Sequence, residues 1–138
     1  MAHIESIMDS DIFCSIMKDE YIKTLQWYHL TTQNTILAMD NDPKHASRQS
    51  QQTLNELGIT ILDWPAQSPD LNPIEHLWAF LKVRLNGYET PCKSISELWE
   101  RVQVEWESIP REYCQKLVES MPDRIAAVLR ARGKHTRF

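Results

Sequence analysis

Two motifs limit the folds that are open to this chain. The first, residues 39–45, reads M-D-N-D-P-K-H, and the second, residues 68–78, reads S-P-D-L-N-P-I-E-H-L-W. Asp40 ends an apolar run, Glu75 opens a later helix, and 34 residues lie between them. That length allows one helix, one strand and a loop to fold back and bring two carboxylates together. The spacing therefore predicts a metal site.

Length and composition favour a single domain over residues 1–138. The chain has enough apolar residues, 42%, for a hydrophobic core. Its net charge of −4 and its pI near 5.7 argue against a dedicated basic nucleic-acid module, for which a pI above about 9 is usual. Any contact with DNA is therefore expected to be local.

The cysteines and the hydropathy pattern indicate a soluble protein in a reducing, intracellular compartment. Cys14, Cys92 and Cys114 are odd in number, lie far apart and lack the spacing of metal ligands, so we expect neither a disulfide framework nor a zinc site. The N-terminus lacks an apolar signal segment, and every apolar run is shorter than the roughly 18 residues of a membrane span. We expect no membrane partner.

The first motif lies inside a predicted strand–helix–strand unit. Residues 35–39 form a continuous apolar run, the pattern of a strand buried on both faces of an α/β sheet. Asp42 and Pro43 suit the start of a helix, Gly58 suits its end, and residues 59–62 return as a strand. Such a unit is expected to be parallel, with a right-handed crossover.

Residues upstream of this unit predict a weak strand over 3–8 and then a helix. The helix begins behind Asp9 and Ser10 and has an apolar stripe at helical spacing. The stripe consists of Phe13, Met17, Tyr21, Leu25 and Tyr28. The acidic residues of this region, Asp9, Asp11 and Asp19, are interpreted as helix caps and solvated surface.

The second half of the chain is predicted to be helical. Helix starts are predicted at Asn72 with Pro73, at Ser94 with Glu97, and at Pro110, and their inward residues include Leu81, Leu98, Trp106 and Leu117. Gly87 ends the first helix, and Pro122 breaks the last one, leaving a short final helix to about Arg132. The charged residues from Arg124 onward are all basic: Arg124, Arg130, Arg132, Lys134 and Arg137. Two interpretations of this basic segment, exposure to solvent and contact with DNA, are given near-equal weight.

Asp40 and Glu75 have the chemistry that metal-dependent phosphodiester cleavage needs. Asp40 lies at the carboxyl end of a predicted strand, where ligands of open α/β sheets gather. Two Mg²⁺ or Mn²⁺ ions about 3.5–4 Å apart need convergent oxygen ligands. Asp40 could instead bond backbone amides in its turn, and Glu75 could instead complete a capping box with Asn72. Both roles can coexist, because a carboxylate has two oxygens.

The motifs at 40–45 and 64–78, with the segment 105–118 downstream, resemble the DDE transposases of the mariner superfamily, in its Tc branch. The resemblance implies a ribonuclease H-like α/β fold, a mixed sheet flanked by helices. It implies that Asp40 and Glu75 are catalytic residues that bind Mg²⁺ or Mn²⁺. The implied activity is cleavage of DNA by metal-activated water, followed by joining of the freed 3′ hydroxyl to target DNA. Transposon ends and target DNA are the implied partners, and the nucleus is the implied location.

The family's first aspartate and its first two strands are not matched in this sequence, where residues 3–8 resemble the third strand. We therefore expect an N-terminally truncated, partial catalytic domain over 1–138, inactive alone, with weak residual binding of metal or nucleic acid. The strand at 35–39 would then have an open edge, which favours self-association or pairing with full-length transposase. One alternative is a non-catalytic, domesticated protein-interaction or DNA-binding module. Another is a longer gene product that supplies the missing strands.

Four polar residues near the two motifs are candidates for contact with DNA. Lys44 and His45 lie just inside a helix N-terminus, which attracts phosphate, although a solvated surface pair is equally expected. Gln67 and Ser68 could lie along DNA, and ordinary loop polarity explains them equally well. His45 and His76 lack the spacing of metal ligands and are interpreted as structural or surface residues.

Overall fold

The computed structural model describes residues 2–4, 7–65 and 68–138, which fall into two compact units, Met1–Gln67 and Ser68–Phe138. The first unit contains a short parallel sheet and helices, and the described part of the second is helical. Across the described residues, no helix combines the length and the hydropathy that crossing a membrane requires. That the whole chain is a single domain stays a prediction.

One continuous helical segment opens the first unit. It consists of α1 (Ser10–Ile16), a π-helical turn (Met17–Tyr21) and α2 (Ile22–Trp27). The Asp9 carboxylate accepts the Ile12 N–H at 2.9 Å, which confirms the predicted cap. Of the predicted apolar stripe, Phe13, Met17 and Leu25 are buried, and Tyr21 packs against the core that contains the first two. Tyr28, at the end of the stripe, is exposed.

The predicted parallel strand–helix–strand unit is confirmed. Strand β1 (Ile36–Leu37) pairs in parallel with β2 (Thr60–Ile61). Between them lie α3 (Pro43–Ala46) and α4 (Arg48–Glu56), where one continuous helix was expected. The break falls at Ser47, whose hydroxyl caps α4 by accepting the Ser50 N–H at 3.2 Å. Gly58 follows α4 with φ +66°, a backbone conformation that favours glycine, as the sequence predicted.

The predicted burial of the first strand on both faces is wrong. Ile36 is 64% exposed, and among the described residues β1 has a single strand neighbour, β2. Residues 3, 4, 7 and 8 are outside any strand, so the strand predicted over 3–8 is not seen at these positions. Glu5 and Ser6, in the same stretch, lie outside the described residues.

The core of the first unit forms between α1, α4 and the start of β2. Its buried residues are Phe13, Cys14, Met17, Leu54 and Ile59. Ser50 lies among them without exposure, and its hydroxyl donates to the Lys44 carbonyl at 2.6 Å. The same hydroxyl accepts a hydrogen bond from the Ser47 hydroxyl at 2.9 Å, so this buried polar group both donates and accepts.

The second unit follows the predicted helix boundaries closely. A 3₁₀ turn (Pro69–Leu71) precedes α5 (Ile74–Asn86), α6 (Ile95–Glu107), α7 (Arg111–Glu119) and α8 (Met121–Arg130). Ser94 caps α6 through its hydroxyl, and Pro122 lies in the first turn of α8, so the predicted break near Pro122 is confirmed. The Glu97 carboxylate accepts the Lys93 N–H at 2.8 Å, one residue before the Ser94 N–H that a capping box would use.

A polar network occupies part of the α6 face that the sequence predicted to be apolar. Leu98 is 42% exposed, whereas Glu105 is buried. Arg84 Nε donates to Glu105 Oε2 at 2.9 Å, and the Tyr88 hydroxyl donates to Oε1 at 3.0 Å. The Arg84 guanidinium holds the pKa of the Glu105 carboxyl below its ordinary value, although burial opposes that shift. The network therefore joins α6 to the end of α5.

Arg124, the first residue of the basic C-terminal segment, is a structural residue rather than a solvated or DNA-facing one. Its side chain is almost completely buried, at 2% exposure. The guanidinium donates to the Asp70 carbonyl at 2.8 Å and to the Ser120 hydroxyl at 2.8 Å. Neither of the two roles that the sequence suggested for it is therefore correct.

We expect the stability of the second unit to fall in acid, and Glu105 to contribute to that fall. A carboxyl whose pKa is lower in the folded state stabilises the fold above its unfolded pKa, near 4.5, and the effect is lost as pH falls through the folded pKa. When pH is lowered from neutrality to below the unfolded pKa, Glu105→Gln should therefore lose less of its free energy of unfolding than the wild type. Urea unfolding monitored by tryptophan fluorescence measures this. Glu107→Gln, an exposed neighbour, is the control, and an unchanged pH dependence in Glu105→Gln would contradict the prediction.

Arg124→Met should destabilise the protein strongly, because it leaves the Asp70 carbonyl and the Ser120 hydroxyl without their donor. Each unsatisfied buried group costs about 1–3 kcal/mol, so we expect the free energy of unfolding to fall by about 2–4 kcal/mol. Arg130→Met, on the exposed side of the same helix, should change it by less than about 0.5 kcal/mol. Equal midpoints of urea unfolding for the two variants would show that the Arg124 contacts contribute nothing.

Candidate metal and nucleic-acid site

Asp40 follows β1 by three residues and presents a carboxylate that is 72% exposed. Its Oδ1 lies 2.7 Å from His45 Nδ1 and accepts the Asp42 N–H more weakly, at 3.4 Å. Its Oδ2 has no hydrogen-bond partner among the described residues. The turn contact that was the alternative for Asp40 is thus present, and it leaves one oxygen free for a metal ion.

His45 fixes the position of Asp40. The imidazole is 15% exposed and packs on the Phe13 ring with 4.5 Å between centroids. The His45 carbonyl accepts a hydrogen bond from the Gln51 side chain at 2.9 Å. The ring therefore rests on α1 and the His45 backbone is held by α4, while the ring Nδ1 faces the Asp40 carboxylate. Of the two interpretations of His45, as a structural or a surface residue, its packing on Phe13 fits the first.

The rest of the first motif is tied down through Asp42 and Lys44. The Asp42 carboxylate accepts the Lys44 N–H at 3.0 Å and pairs with the Lys44 ammonium, which lowers the pKa of the Asp42 carboxyl. The Lys44 carbonyl accepts hydrogen bonds from the hydroxyls of Ser10 at 3.2 Å and Ser50 at 2.6 Å. The loop that carries Asp40 is thus attached to two helices.

A groove of about 240 Å³ lies beside Asp40, at the carboxyl ends of both strands. This is the edge where the sequence predicted a ligand site. Its lining combines apolar and polar side chains: Met39, Asn41, Gln51, Ile61, Leu62, Asp63 and Trp64.

Glu75 lies in the first turn of α5, with an exposed side chain. Asn72 caps this turn, because its side-chain oxygen accepts the Ile74 N–H at 3.3 Å. The Asn72 N–H donates to the Pro69 carbonyl at 3.1 Å, so the capping-box bond considered for Glu75 is not formed. The Glu75 carboxylate makes no hydrogen bond or ion pair with any other residue that the structure describes. It is free to bind a ligand.

The convergence of Asp40 with Glu75 stays a prediction, because the two residues belong to different units. Within the described ranges, no group of three or more His, Cys, Asp or Glu side chains has an arrangement that could hold a metal ion. Gln67 lies outside the described residues, and the Ser68 carbonyl accepts the Leu71 N–H at 3.2 Å. Contact of Lys44, His45, Gln67 and Ser68 with DNA stays a prediction.

The free oxygens suit Mg²⁺ or Mn²⁺. Both ions prefer carboxylate oxygens, and Mg²⁺ is usually bound by one or two carboxylates together with water and substrate phosphates. Among the described residues, no cation pairs with Asp40 Oδ2 or with the Glu75 carboxylate, and both side chains are exposed. Each carboxylate therefore has the chemistry that such an ion prefers.

Sequence reasoning missed two contacts near the site. The first is the pairing of His45 with Asp40, five residues apart. The available signal in the sequence was a histidine near the start of the helix that follows an acidic residue at the end of a strand. The second is a cluster in which Arg124 and Thr136 bind Asp70 across 54 and 66 residues of chain. No local pattern in the sequence signals that cluster.

Comparison with known proteins shows the family of this chain. Residues 7–99, which include Asp40 and Glu75, match the family described as DDE superfamily endonuclease. The match covers more than half of the chain, and the chain therefore belongs to the DDE superfamily endonucleases.

Its relatives are transposases of the Tc1/mariner type. The chain is 34% identical over its whole length to the transposable element Tc1 transposase of Caenorhabditis elegans. It is 32% identical over its whole length to the Tcb2 transposase of Caenorhabditis briggsae. It covers 49% of each of these relatives, so it spans about half of their length. The resemblance seen in the sequence is confirmed.

Solved structures of the Mos1 transposase share the fold. The Mos1 catalytic domain solved with raltegravir and Mn matches with a TM-score of 0.84 and 22% identity, over 96% of this chain and 68% of that one. The Mos1 paired-end complex with Mn matches with a TM-score of 0.83 and 21% identity, over 96% and 39%. The expected ribonuclease H-like α/β class is therefore confirmed. The truncated strand order stays a prediction.

The His45–Asp40 contact predicts which ring nitrogen carries the proton in the neutral imidazole of His45. The hydrogen bond to Asp40 should keep the proton on Nδ1. Asp40→Ala should shift it toward Nε2, as measured by ¹⁵N NMR of the ring nitrogens. Asp63→Ala, an exposed acid in the same groove, is the control and should leave the ring unchanged. A wild-type ring protonated on Nε2 would contradict the prediction.

Proposed function

We propose that this chain supplies two carboxylates, Asp40 and Glu75, to the metal site of a DNA-cutting and strand-transfer enzyme of the Tc1/mariner type. The observation that carries this proposal is the Asp40 carboxylate, held at the strand end by His45 with its second oxygen free. The relatives named as transposases and the Mos1 structures with Mn or Mg support it. By the same family resemblance, we propose that the protein works in the nucleus.

In this proposal the bound ion is Mg²⁺ or Mn²⁺, held by Asp40 and Glu75. When bound, the metal activates the attacking hydroxyl and stabilises the leaving oxygen. The chain's own residues provide position: His45 orients Asp40, and the N-terminal turn of α5 presents Glu75. Lys44 is a weaker candidate for phosphate than its sequence position suggests, because its ammonium is paired with Asp42.

DNA is the proposed partner, both as transposon ends and as target. The paired-end complexes of Mos1, whose fold this chain shares, support that proposal. Gln67 and Ser68, which precede α5 in the sequence, remain the proposed contacts beside the site. With a net charge of −4, the chain would bind DNA through such local contacts rather than through a general positive field.

We propose that a third carboxylate from outside these two motifs completes the site. Two carboxylates alone leave a pair of metal ions with too few fixed ligands. The 138 residues tested by themselves should therefore bind metal weakly and should not cleave DNA. Self-association, or pairing with full-length transposase along the open edge of β1, is part of the same proposal.

The second candidate function is a non-catalytic interaction module. Trp27 and Tyr28, which are 78% and 66% exposed, favour it, because exposed aromatic side chains are common in protein interfaces. This function needs neither Asp40 nor Glu75. The two candidates therefore differ in their dependence on metal.

Calorimetric titration with Mn²⁺ separates the two candidates. Asp40→Ala and Glu75→Ala should each weaken Mn²⁺ binding about tenfold or more, since even the partners that orient a metal ligand affect affinity by that much. Glu56→Ala and Glu89→Ala, both exposed, are the matched controls, and circular dichroism checks that every variant folds. Binding that is equal in all five proteins, or absent from a folded wild type, would reject the metal site and favour the interaction module.

A further inference from the structure

A buried polar cluster connects the C-terminal segment to the turn that carries Glu75. We call it the C-terminal clasp; it consists of Asp70, His76, Arg124 and Thr136. We propose that the clasp positions Glu75 for metal binding, an inference that rests on the proposed function. Its residues are positioning residues, because none of them is proposed to touch metal or DNA.

Arg124 forms the centre of the clasp. Its guanidinium, almost fully buried on α8, donates to the Asp70 carbonyl at 2.8 Å. Another of its nitrogens, Nη2, lies 3.3 Å from His76 Nδ1. One cation therefore holds both the 3₁₀ turn before α5 and the first turn of α5. His76 is the residue next to Glu75.

Thr136 closes the clasp from the C-terminal segment. Asp70 is 6% exposed, and its Oδ2 accepts the Thr136 N–H at 3.1 Å and the Thr136 hydroxyl at 2.9 Å. Burial alone would raise the pKa of the Asp70 carboxyl, but these hydrogen bonds hold it below its ordinary value. The Phe138 ring lies 5.0 Å from the Arg124 guanidinium. The segment thus covers a charged carboxylate and a charged guanidinium.

The clasp fixes the backbone on both sides of Glu75. Asp70 is held through its carbonyl and its carboxylate, and His76 is held through its ring. The Glu75 carboxylate makes no hydrogen bond or ion pair with other described residues, so its direction depends on this backbone. A metal ligand must be held within about 0.5 Å of its working position, which requires support of this kind.

Loss of the Thr136 hydroxyl should loosen this turn specifically. The buried Asp70 carboxylate would lose one of its two bonds to Thr136 and would need water or another donor in its place. The amides of 71–76 should then open more often. The helices that are outside the clasp, such as α6, should keep their protection.

Hydrogen exchange followed by NMR tests the clasp on the full 138-residue chain. Thr136→Val keeps the shape of the side chain and removes its hydroxyl; we expect exchange at the amides of 71–76 to rise about tenfold. Thr136→Ser restores the hydroxyl and should restore protection. Arg137→Ala, next to it in the same segment, is the control. These variants leave Arg124 intact, so the fold itself is not at risk.

Mn²⁺ alone, as a paramagnetic probe, tests the connection to Glu75. Thr136→Val should reduce the Mn²⁺ broadening of the Glu75 amide signal, while broadening at Asn41, beside Asp40, should persist. Thr136→Ser should recover it. This result, together with local loss of protection, would support the clasp.

Two results would overturn the inference. One is unchanged exchange at 71–76 in Thr136→Val. The other is an equal rise of exchange in α6, which would indicate a general loss of stability. If Mn²⁺ broadens no signal even in the wild type, the metal site of the proposed function fails, and the exchange pattern still decides whether the clasp holds the turn.

Discussion

The hydrogen bond from the Ser50 hydroxyl to the Lys44 carbonyl is the contact on which the first unit depends. Ser50 is fully buried, and its hydroxyl donates to the Lys44 carbonyl, which also accepts the Ser10 hydroxyl. The helix breaks at Ser47, where the chain turns so that this carbonyl faces α4. That turn places His45 against Phe13, and His45 in turn fixes Asp40. The hydroxyls of Ser50 and Ser10 thus connect α4 and α1, through the Lys44 carbonyl, to the segment that holds the candidate metal ligand.

Buried polar groups have a similar role in the second unit. Glu105 joins α5 to α6 through Arg84 and Tyr88, and Arg124 joins α8 to the turn before α5. Apolar stripes alone would allow these helices to slide and rotate, whereas hydrogen bonds to a charged group fix one register. The polar contacts therefore account for the position of the turn that carries Glu75.

Local chemistry explains which parts of the structure could be predicted from the sequence. Asp9, Asp42 and Ser94 were predicted as caps because each acts on amides two or three residues away. The contacts of Asp70 with Arg124 and Thr136 span more than fifty residues, and no periodicity signals them. Ile36 was expected to be buried because it lies in an apolar run, and it is exposed. An apolar run shows only that a strand can be covered by other elements. It does not show which elements cover it. Asp40 and Glu75 were identified through motifs, and their convergence depends on how distant segments meet.

The π-helical turn at Met17–Tyr21 sets the rotation of the helix that follows it. A regular α-helix turns by 100° per residue, so eight residues would place Leu25 about 80° around the axis from Met17. The π-helical turn takes up one extra residue and brings Leu25 back to within about 20° of the face that buries Met17. Both residues are buried. Deleting a single residue between 17 and 21 would therefore leave Leu25 about 20° from Met17 in a regular α-helix, because seven steps of 100° come close to two full turns, whereas inserting a residue there would turn Leu25 away from its buried face.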